Sequence, residues 1–466
     1  MAKTLLEAYA KRISYADKYA TQKGTPMTQQ KKVLLAKVLN NTDRFLNESF
    51  TGTQATQFPM ADMKKFCLNL TTLAVPSLIA PEIVLTQPMS SRTGYLAYVK
   101  YVAGTDKGGI TKYDPATKTG DEFNTPWGLG QVGVDRANYT SASVVESFTG
   151  DGSEGNFVLA FPHVMQVVSV TVDGVAKTAG TDFDTAEANG ITTVTFKAGK
   201  IPTSGQAIKV AYVYDNVTIP QEAPLPVYNA VMDGIALTAK ARRIAIRYSQ
   251  LAAFEAKNDY GFDMQQQLAA QAVAELAFEI DTEVVLGLDE AAGQALPSLK
   301  WNILRPQYIS KADHYEGFAE VLEAAKAIMF DRTRKFVPDY MVASSKVLRV
   351  LPFIKGWSPA SVGAVNGPYL AGDLNGVKVY ISPSLAEGRF FLGVNQSDFL
   401  TSAAVYAPYM AVTPTMLLQG PDGATTQGFS TLYDFQILNK DLLVAGQITE
   451  DSSYAEGTAN NIVALG

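Results

Sequence analysis

The sequence predicts an α+β fold, in which helices and short strands largely occupy different stretches of the chain. Three observations lead to this prediction. Residues 259–288 repeat apolar side chains at helical spacing, residues 145–215 alternate short strands with turns, and residues 403–449 are again rich in strand-forming residues. With 466 residues, 47% of them hydrophobic, the chain is long enough for two or three domains with separate cores.

Residues 1–80 are predicted to hold three helices joined by Gly, Pro and Thr linkers. Apolar residues recur at helical spacing in 3–20, 28–46 and 61–74, and Pro76 marks the end of the third helix. The first fifty residues have a net charge of +5, whereas the rest of the chain is at −11. We expect an extended basic arm that contacts a neighbouring subunit or an interior cargo, although a solvated basic helix explains the charge equally well.

Residues 81–144 and 216–248 are predicted to form one extended region around a separate module. Strands are expected at 82–87 and 94–103, followed by a glycine-rich stretch that has little periodicity. Residues 230–248 alternate between apolar and polar. They carry a basic cluster that consists of Lys240, Arg242, Arg243 and Arg247.

Residues 145–215 are predicted to form an inserted β-sandwich or small barrel. Their short apolar runs are separated by glycine turns, of which Asp173-Gly174 and Asn189-Gly190 are strong hairpin signals. The stretches on either side belong together, so the module interrupts a region that is otherwise continuous.

The long helix predicted within 259–288 has a broad apolar stripe that recurs every four residues. Asp263 is its expected N-cap, and Gly287 is its expected C-terminal stop signal. The polar face carries Glu275, Glu279 and Glu283 and almost no cation. These carboxylates have no accompanying Glu-x-x-His for a metal site, so a solvated or inter-subunit face is expected.

The remaining chain is predicted to mix helices and strands. A helix at 315–330 begins with a capping box of Asp313 and Glu316, and Ser344 caps another helix that ends near Pro352. The expected strands are 340–343, 376–382, 389–394, 403–412, 429–439 and 442–449.

No catalytic or metal-binding constellation is found in the sequence. Cys67 is the only cysteine, and the two histidines, His163 and His314, lie far apart, which excludes a tetrahedral zinc site of the usual kind. Cys67 is expected to be a small buried hydrophobe, and residues 149–156 a hairpin turn in preference to a calcium loop. A phosphate-binding GxxxxGK[ST] and an apolar run of about 18 residues are both missing. We therefore expect no enzymatic activity, cofactor, metal or membrane contact.

Two other classes of function stay open from the residues alone. The module could belong to an enzyme that acts on carbohydrate, or to an adhesin that binds a host surface. The enzyme would need a carboxylate pair in a cleft, but the acids of the module lie mainly in turns. They are Asp151, Glu154, Asp173, Asp182, Asp184 and Glu187.

Four segments, in order, resemble the major capsid proteins of tailed bacteriophages of the T-even (myovirus) type. They are TQPM at 86–89, the run ARRIAIRYSQLAAFEAKNDYGFD with the helix that ends in EIDTEVV, PDYMVASSKVLRVL, and VYAPYMAVTP followed by QGFSTLYD. The resemblance covers about residues 81–445, interrupted by the module, and VYAPYMAVTP is its strongest part.

This resemblance implies an HK97-like capsid fold. It divides the chain into a helical N-terminal arm (1–80), an extended loop (81–144 and 216–248) with an inserted β domain (145–215), a peripheral domain (249–334) whose spine helix is 262–288, an axial domain (335–399), and return strands with the C-terminal segment (400–466). The stripe of the spine helix is expected to pack under residues 403–412.

The resemblance also implies a function. The chain would self-assemble in the host bacterial cytoplasm into hexamers and pentamers of an icosahedral shell around double-stranded DNA, without sequence-specific binding. Scaffold, portal and vertex or decoration proteins would be partners. The inserted domain would lie outside and stabilise contacts between capsomers, and an encapsulin-like compartment or another phage structural protein is the alternative.

Candidate residues follow from these expectations. Candidate inter-subunit contacts are Glu275, Glu279, Glu283, Lys240, Arg242, Arg243 and Arg247. Leu46-Asn47-Glu48 resembles the Leu-x-Glu site at which a prohead protease trims this family, and so does Leu5-Leu6-Glu7. Three-residue matches are common by chance, so removal of the arm stays open.

Overall fold

The computed structural model of the chain describes most of its 466 residues. Those described are 2–22, 26–49, 60–107, 110–120, 139–153, 155–216, 225–261, 263–295, 298–305, 309–333, 335–360, 367–396, 401–415, 418–420, 423–450 and 463–465. The chain divides into two compact units, one formed by Met1–Ala97 with Gly234–Gly466 and the other by Tyr98–Asp233. No helix among the described residues is long and apolar enough to cross a membrane.

Four N-terminal helices pack around a core of their own. They are α1 (Ala2–Ala8), α2 (Ala10–Gln22), α3 (Gln29–Ser49) and α4 (Met60–Ser77). Ile13, Leu35 and Leu39 are buried in this core. The expectation of an extended arm is wrong for the described residues, because the apolar faces of these helices bury one another.

Helix α4 continues past its predicted end at residue 74 and includes Pro76. The hydroxyl of Ser77 donates to the carbonyl of Ala74 at 2.7 Å, which satisfies an acceptor at the helix end. The side chain of Cys67, the expected buried hydrophobe, lies outside the described residues.

The predicted strand at 82–87 is mostly wrong. A one-turn helix, α5 (Ala80–Ile83), precedes a two-residue strand, β1 (Leu85–Thr86). Pro81 lies near the start of α5, where its missing N–H costs no hydrogen bond. The next prediction is confirmed, since β2 (Thr93–Ala103) spans residues 94–103.

The module consists of two antiparallel sheets that share one core, as predicted for a sandwich. One sheet has the order β3-β9-β5-β6 and the other β4-β8-β7. Their strands are β3 (Ser143–Thr149), β4 (Asn156–Val158), β5 (Val164–Val172), β6 (Val175–Lys177), β7 (Phe183–Ala188), β8 (Ile191–Phe196) and β9 (Ala207–Tyr214). Phe157 and Val194 of the second sheet are buried with Val210 and Tyr212 of the first.

Strand β5 is irregular in its first half. Register shifts leave Met165 and Val168 without a directly opposed residue on β9. Both side chains are exposed. On its other side β5 pairs with β6 only at 170–172.

After the module, β10 (Tyr228–Thr238) pairs with β2, and β11 (Lys240–Ser249) leads into helix α6 (Gln250–Asp259). The long helix α7 (Met264–Gln294) follows. As predicted, Asp263 is its N-cap, and the Asp263 carboxylate accepts the N–H of Gln266 at 3.2 Å.

The predicted end of this helix at Gly287 is wrong, since α7 continues to Gln294 and is about 46 Å long. Gly287 lies in the helix interior because the ring of Phe435 packs directly over it. A Cβ at residue 287 would lie only 2.7 Å from Cε1 of Phe435. The glycine therefore permits a close approach and does not stop the helix.

Within the described residues, a five-stranded sheet packs on the apolar stripe of α7. Its order is β1-β18-β20-β11, with β19 paired to β20. The strands not yet given are β18 (Ala404–Pro414), β19 (Leu418–Gln419) and β20 (Ala424–Ile437). Val273 and Leu276 of α7 are buried with Val412 and Phe429 of the sheet. The prediction that the stripe packs under residues 403–412 is confirmed.

A second sheet has the order β14-β15-β16-β13-β17-β21-β12-β22 among the described strands. Its strands are β12 (Ser298–Asn302), β13 (Tyr340–Ala343), β14 (Trp357–Pro359), β15 (Tyr369–Leu374), β16 (Val377–Ile381), β17 (Arg389–Gly393), β21 (Leu443–Thr449) and β22 (Val463–Leu465). It shares the largest core with α7 and with helix α9 (Phe318–Thr333), where Val284, Phe318 and Phe390 are buried.

Two predicted caps are placed differently in the structure. The helix predicted at 315–330 is divided into α8 (Lys311–Glu316) and α9, and Ser310 caps α8 by accepting the N–H of Asp313 at 3.2 Å. Ser344 lies at the N-cap position of α10 (Ser345–Leu348), but its hydroxyl accepts the N–H of Gly388 at 2.9 Å. A partner across the fold thus replaces the local one.

Candidate functional site

The predicted basic cluster lies on β11, where successive side chains point to opposite faces of the strand. Arg242 shares its face with Ile244 and Ile246, which pack against α7. Arg243 and Arg247 occupy the other face and are exposed. The cluster is therefore divided into one arginine that faces the long helix and two that face away from it.

Arg242 binds the acidic face of α7 within the chain. Its Nη1 lies 3.2 Å from Oε2 of Glu279, and its Nη2 lies 2.8 Å from Oε2 of Glu283. Its Nε donates to the hydroxyl of Tyr433 at 2.5 Å, and that hydroxyl donates to Glu283. Partial burial lowers the pKa of Arg242, but Glu283 and Tyr433 outweigh this effect, so the guanidinium is a fixed positive charge.

These pairs change the list of candidate contacts. Glu279, Glu283 and Arg242 pair with one another within the chain and so stabilise the packing of β11 on α7. Their contact with a neighbouring subunit stays a prediction. Glu275 is exposed one turn before Glu279. Lys240, at the start of β11, lines a cavity of about 230 Å³ together with Arg242, Glu283, Tyr433, Asp434 and Phe435. Both signs of charge line this cavity, so it does not favour one kind of ion.

Both histidines contact neighbouring groups of the chain itself. The ring of His314 is buried, lies 5.0 Å from the ring of Trp301, and its Nε2 is 2.9 Å from the carbonyl of Asn302. Nδ1 of His163 is 3.5 Å from Glu187. Among the described residues, no group of three His, Cys, Asp or Glu side chains could hold a metal ion.

The acids of the module stabilise turns and local pairs. Asp151 accepts the N–H of Ser153 at 2.9 Å, and Asp173 accepts the N–H of Ala207 at 2.8 Å. The hairpin turn predicted at 149–156 is wrong, because β3 and β4 on either side of it belong to different sheets. Asp182 and Asp184 pair with Lys200 and Lys197, each at 3.4 Å. Glu154 lies outside the described residues. The described acids therefore do not converge on a cleft of the kind that glycoside hydrolysis needs.

A family model described as "Major capsid protein Gp23" matches residues 60–463, which is most of the chain. The chain belongs to the Gp23 major capsid protein family. It is similar to the major capsid protein of Enterobacteria phage T4, with 25% identity over 405 residues that cover 79% of this chain and 74% of that protein. The major capsid protein of Vibrio phage KVP40 is 22% identical over 396 residues, covering 79% and 75%.

Solved structures similar to the chain include phage chains and an encapsulin from Synechococcus elongatus. The capsid of Myoviridae phage XM1 aligns with 8% identity and a TM-score of 0.32, covering 64% of this chain and 87% of that one. A chain of Mycobacterium phage Che8 aligns with 12% identity and the same TM-score, covering 61% and 86%.

Membership of the Gp23 family establishes the function in outline. The protein is a structural subunit of the icosahedral shell of a tailed phage and a component of the virion. The α+β class predicted from the sequence is confirmed by the described helices and sheets. The family is one of structural proteins and not of enzymes.

The Gp23 family match begins after the candidate protease site. Leu46 is buried in the last turns of α3, and the backbone of Asn47 and Glu48 continues the same helix, whose side chains there lie outside the described residues. A protease needs an extended strand in its cleft, so cleavage at this site requires the end of α3 to unwind first. Sequence reasoning missed this because the three-residue match carries no information about local structure.

Proposed function

We propose that the chain self-assembles into hexamers and pentamers of an icosahedral shell that encloses double-stranded DNA without sequence-specific contacts. The observation that carries the proposal is the Gp23 family match over residues 60–463. The net charge of −11 beyond residue 50 supports it, because an acidic wall does not bind phosphate backbones tightly. Assembly in the host cytoplasm, with scaffold, portal and vertex or decoration proteins as partners, belongs to the same proposal.

The domain assignment made from the sequence is part of this proposal. Helix α7 is the spine helix of a peripheral domain (249–334), residues 335–399 belong to an axial domain, and 400–466 return to the peripheral domain. Residues 81–144 and 216–248 form the extended loop, which holds the inserted domain (145–215) on the outer surface. Residues Tyr98–Asp233 form one compact unit, which supports the assignment of the inserted domain and much of the extended loop to one body.

The extended loop supplies an apolar surface for contact with a second copy. Val99 and Tyr101 on β2 and Met232 on β10 are exposed, and Met232 is 76% accessible. Large apolar side chains exposed along paired strands favour a protein partner. Lys240, Arg243, Arg247 and Glu275 are exposed charges that we assign to electrostatic contacts between subunits.

Electron microscopy of the purified full chain tests the proposal. We expect closed particles with six-fold and five-fold capsomers, and a chain that stays monomeric under assembly conditions would contradict the proposal. Met232→Glu should keep the circular dichroism of the parent and lose particle formation. Val337→Glu, at another exposed apolar residue, is the matched control and should still assemble.

Removal of the N-terminal helices is tested separately. Mass spectrometry of mature particles would give a chain that begins at residue 49 if Leu46-Asn47-Glu48 is the prohead-protease site. A retained N-terminus would exclude the site and leave the shell function unaffected.

A further inference from the structure

One carboxylate lies inside the apolar stripe of α7. Asp281 is 3% exposed, and its neighbours along the helix, Ile280 and Val284, belong to the largest hydrophobic core. It is separate from the exposed acids Glu275 and Glu283 of the polar face. A buried carboxylate is costly unless its oxygens receive hydrogen bonds, so its partners decide its role.

Asp281 caps another helix, α5. Its Oδ1 accepts the N–H of Ile79 at 3.0 Å and of Ala80 at 2.9 Å, and Oδ2 also lies 3.0 Å from the N of Ile79. Ile79 is the N-cap residue of α5 and has no side-chain acceptor of its own. The carboxylate therefore replaces the missing cap and fixes the turn that connects the N-terminal helices with β1.

Glu82, in the same helical turn, supplies a second carboxylate, which is partly buried. Glu82 pairs with Nζ of Lys31 on α3 at 2.5 Å, and it accepts the hydroxyl of Tyr380 on β16 at 2.9 Å. Its backbone carbonyl accepts Nδ2 of Asn395 at 2.7 Å. Lys31 is 3% exposed. One helical turn is thus tied to α3, α7, β16 and the residues after β17.

The charges in this cluster do not balance when both acids are ionised. Two carboxylates, Asp281 and Glu82, face a single cation, Lys31, so one proton makes the cluster neutral. The other titratable groups around it are the hydroxyls of Tyr380 and Tyr406 and the carboxylate of Asp339, which accepts the N–H of Asn395. None of these three adds a positive charge.

We propose that Asp281, Glu82 and Lys31 form a proton-linked latch, which fastens the junction of the N-terminal helices to α7 more tightly in acid than in alkali. The proton resides on Asp281, because Glu82 already has an ammonium partner. Protonation removes the cost of a buried negative charge and leaves the acceptor for Ile79 and Ala80 in place.

The pKa of Asp281 supports the direction of this pH dependence. Burial raises the pKa of Asp281 to about 7, although the N–H groups of Ile79 and Ala80 and the charge of Lys31 oppose the rise. In an opened junction the carboxyl returns to an ordinary pKa of about 4. Between about pH 4 and pH 7, the closed state therefore binds a proton that the open state does not bind. The stability that this proton gives to the closed state is lost as the pH rises through 7.

Amide hydrogen exchange of the full chain measures the latch. We expect the protection factor of the peptide 78–84, corrected for the intrinsic pH dependence, to fall about tenfold from pH 6 to pH 8. Asp281→Asn imitates the protonated acid, so its protection should be the same at both pH values. Asp289→Asn is the matched control on α7, because it removes a pair with Arg389 and should keep the tenfold fall.

A tenfold fall that persists in Asp281→Asn, or unchanged protection in the parent, would overturn the proposal. If Asp281→Asn does not fold, the parent chain still decides the matter by infrared spectroscopy with carboxyl-labelled aspartate. A protonated carboxyl band that disappears near pH 7 supports the latch, and a spectrum with all aspartates ionised at pH 6 refutes it.

Discussion

Leu276→Ala tests the packing of α7 under the five-stranded sheet. Leu276 is 2% exposed and contacts a core that contains Leu70 of α4, Val412 of β18 and Phe429 of β20. Leu-to-Ala changes at buried sites cost ~2–5 kcal/mol, with the higher values where a cavity stays open. A cavity of about 20 Å³ already borders Leu276, and the paired strands beside it cannot collapse into a larger one. We therefore expect a loss of ~3–5 kcal/mol in the free energy of unfolding.

Urea unfolding of the full chain, followed by the circular dichroism of its helices, measures this loss. Leu286→Ala is the matched control on the same helix, because Leu286 is 45% exposed. The control should cost less than ~1 kcal/mol. Equal effects of the two substitutions would refute the assigned stripe. Leu276→Asp should prevent folding, since a charge there has no partner, and soluble, assembling protein would contradict that reasoning.

Three further predictions concern other parts of the fold. Arg242→Lys should destabilise the chain by ~0.5–1 kcal/mol, because the compact ammonium does not span Glu279, Glu283 and Tyr433 as the planar guanidinium does, whereas Arg243→Lys should be neutral in the same urea assay. Replacing 145–215 by a short linker should leave a chain with unchanged helical dichroism but particles that dissociate at lower denaturant, and an insoluble product would show that the module is not independent. Tyr212→Phe should lower the unfolding temperature of the chain, because Glu146 loses its 2.5 Å hydrogen bond inside the module, and no change would exclude a stabilising role.

Features that depend on neighbouring residues in the chain could be predicted from the sequence. The Asp263 cap needs only the N–H of a residue three positions later, and the hairpin turns of the module need only their own glycines. The alternation along β11 also places Arg242 and Arg243 on opposite faces of the strand, which divides the predicted basic cluster. Period-two spacing was the available signal.

Features that depend on a distant partner could not be predicted. Gly287 has the local signature of a helix end, and only the ring of Phe435 explains why it lies in the helix interior. Ser344 has the signature of a cap, yet it binds Gly388. Asp281 was visible as a polar residue within the apolar stripe, but the donors that stabilise it lie about two hundred positions earlier.

The irregular half of β5 has a consequence for solubility. In a shell, many identical modules are held at high local concentration, and an unpaired strand edge is a template for unwanted pairing between them. The two register shifts at Met165 and Val168 break the even spacing of N–H and C=O groups along that edge. This irregularity makes edge-to-edge pairing between copies of the module less favourable than a regular strand edge would.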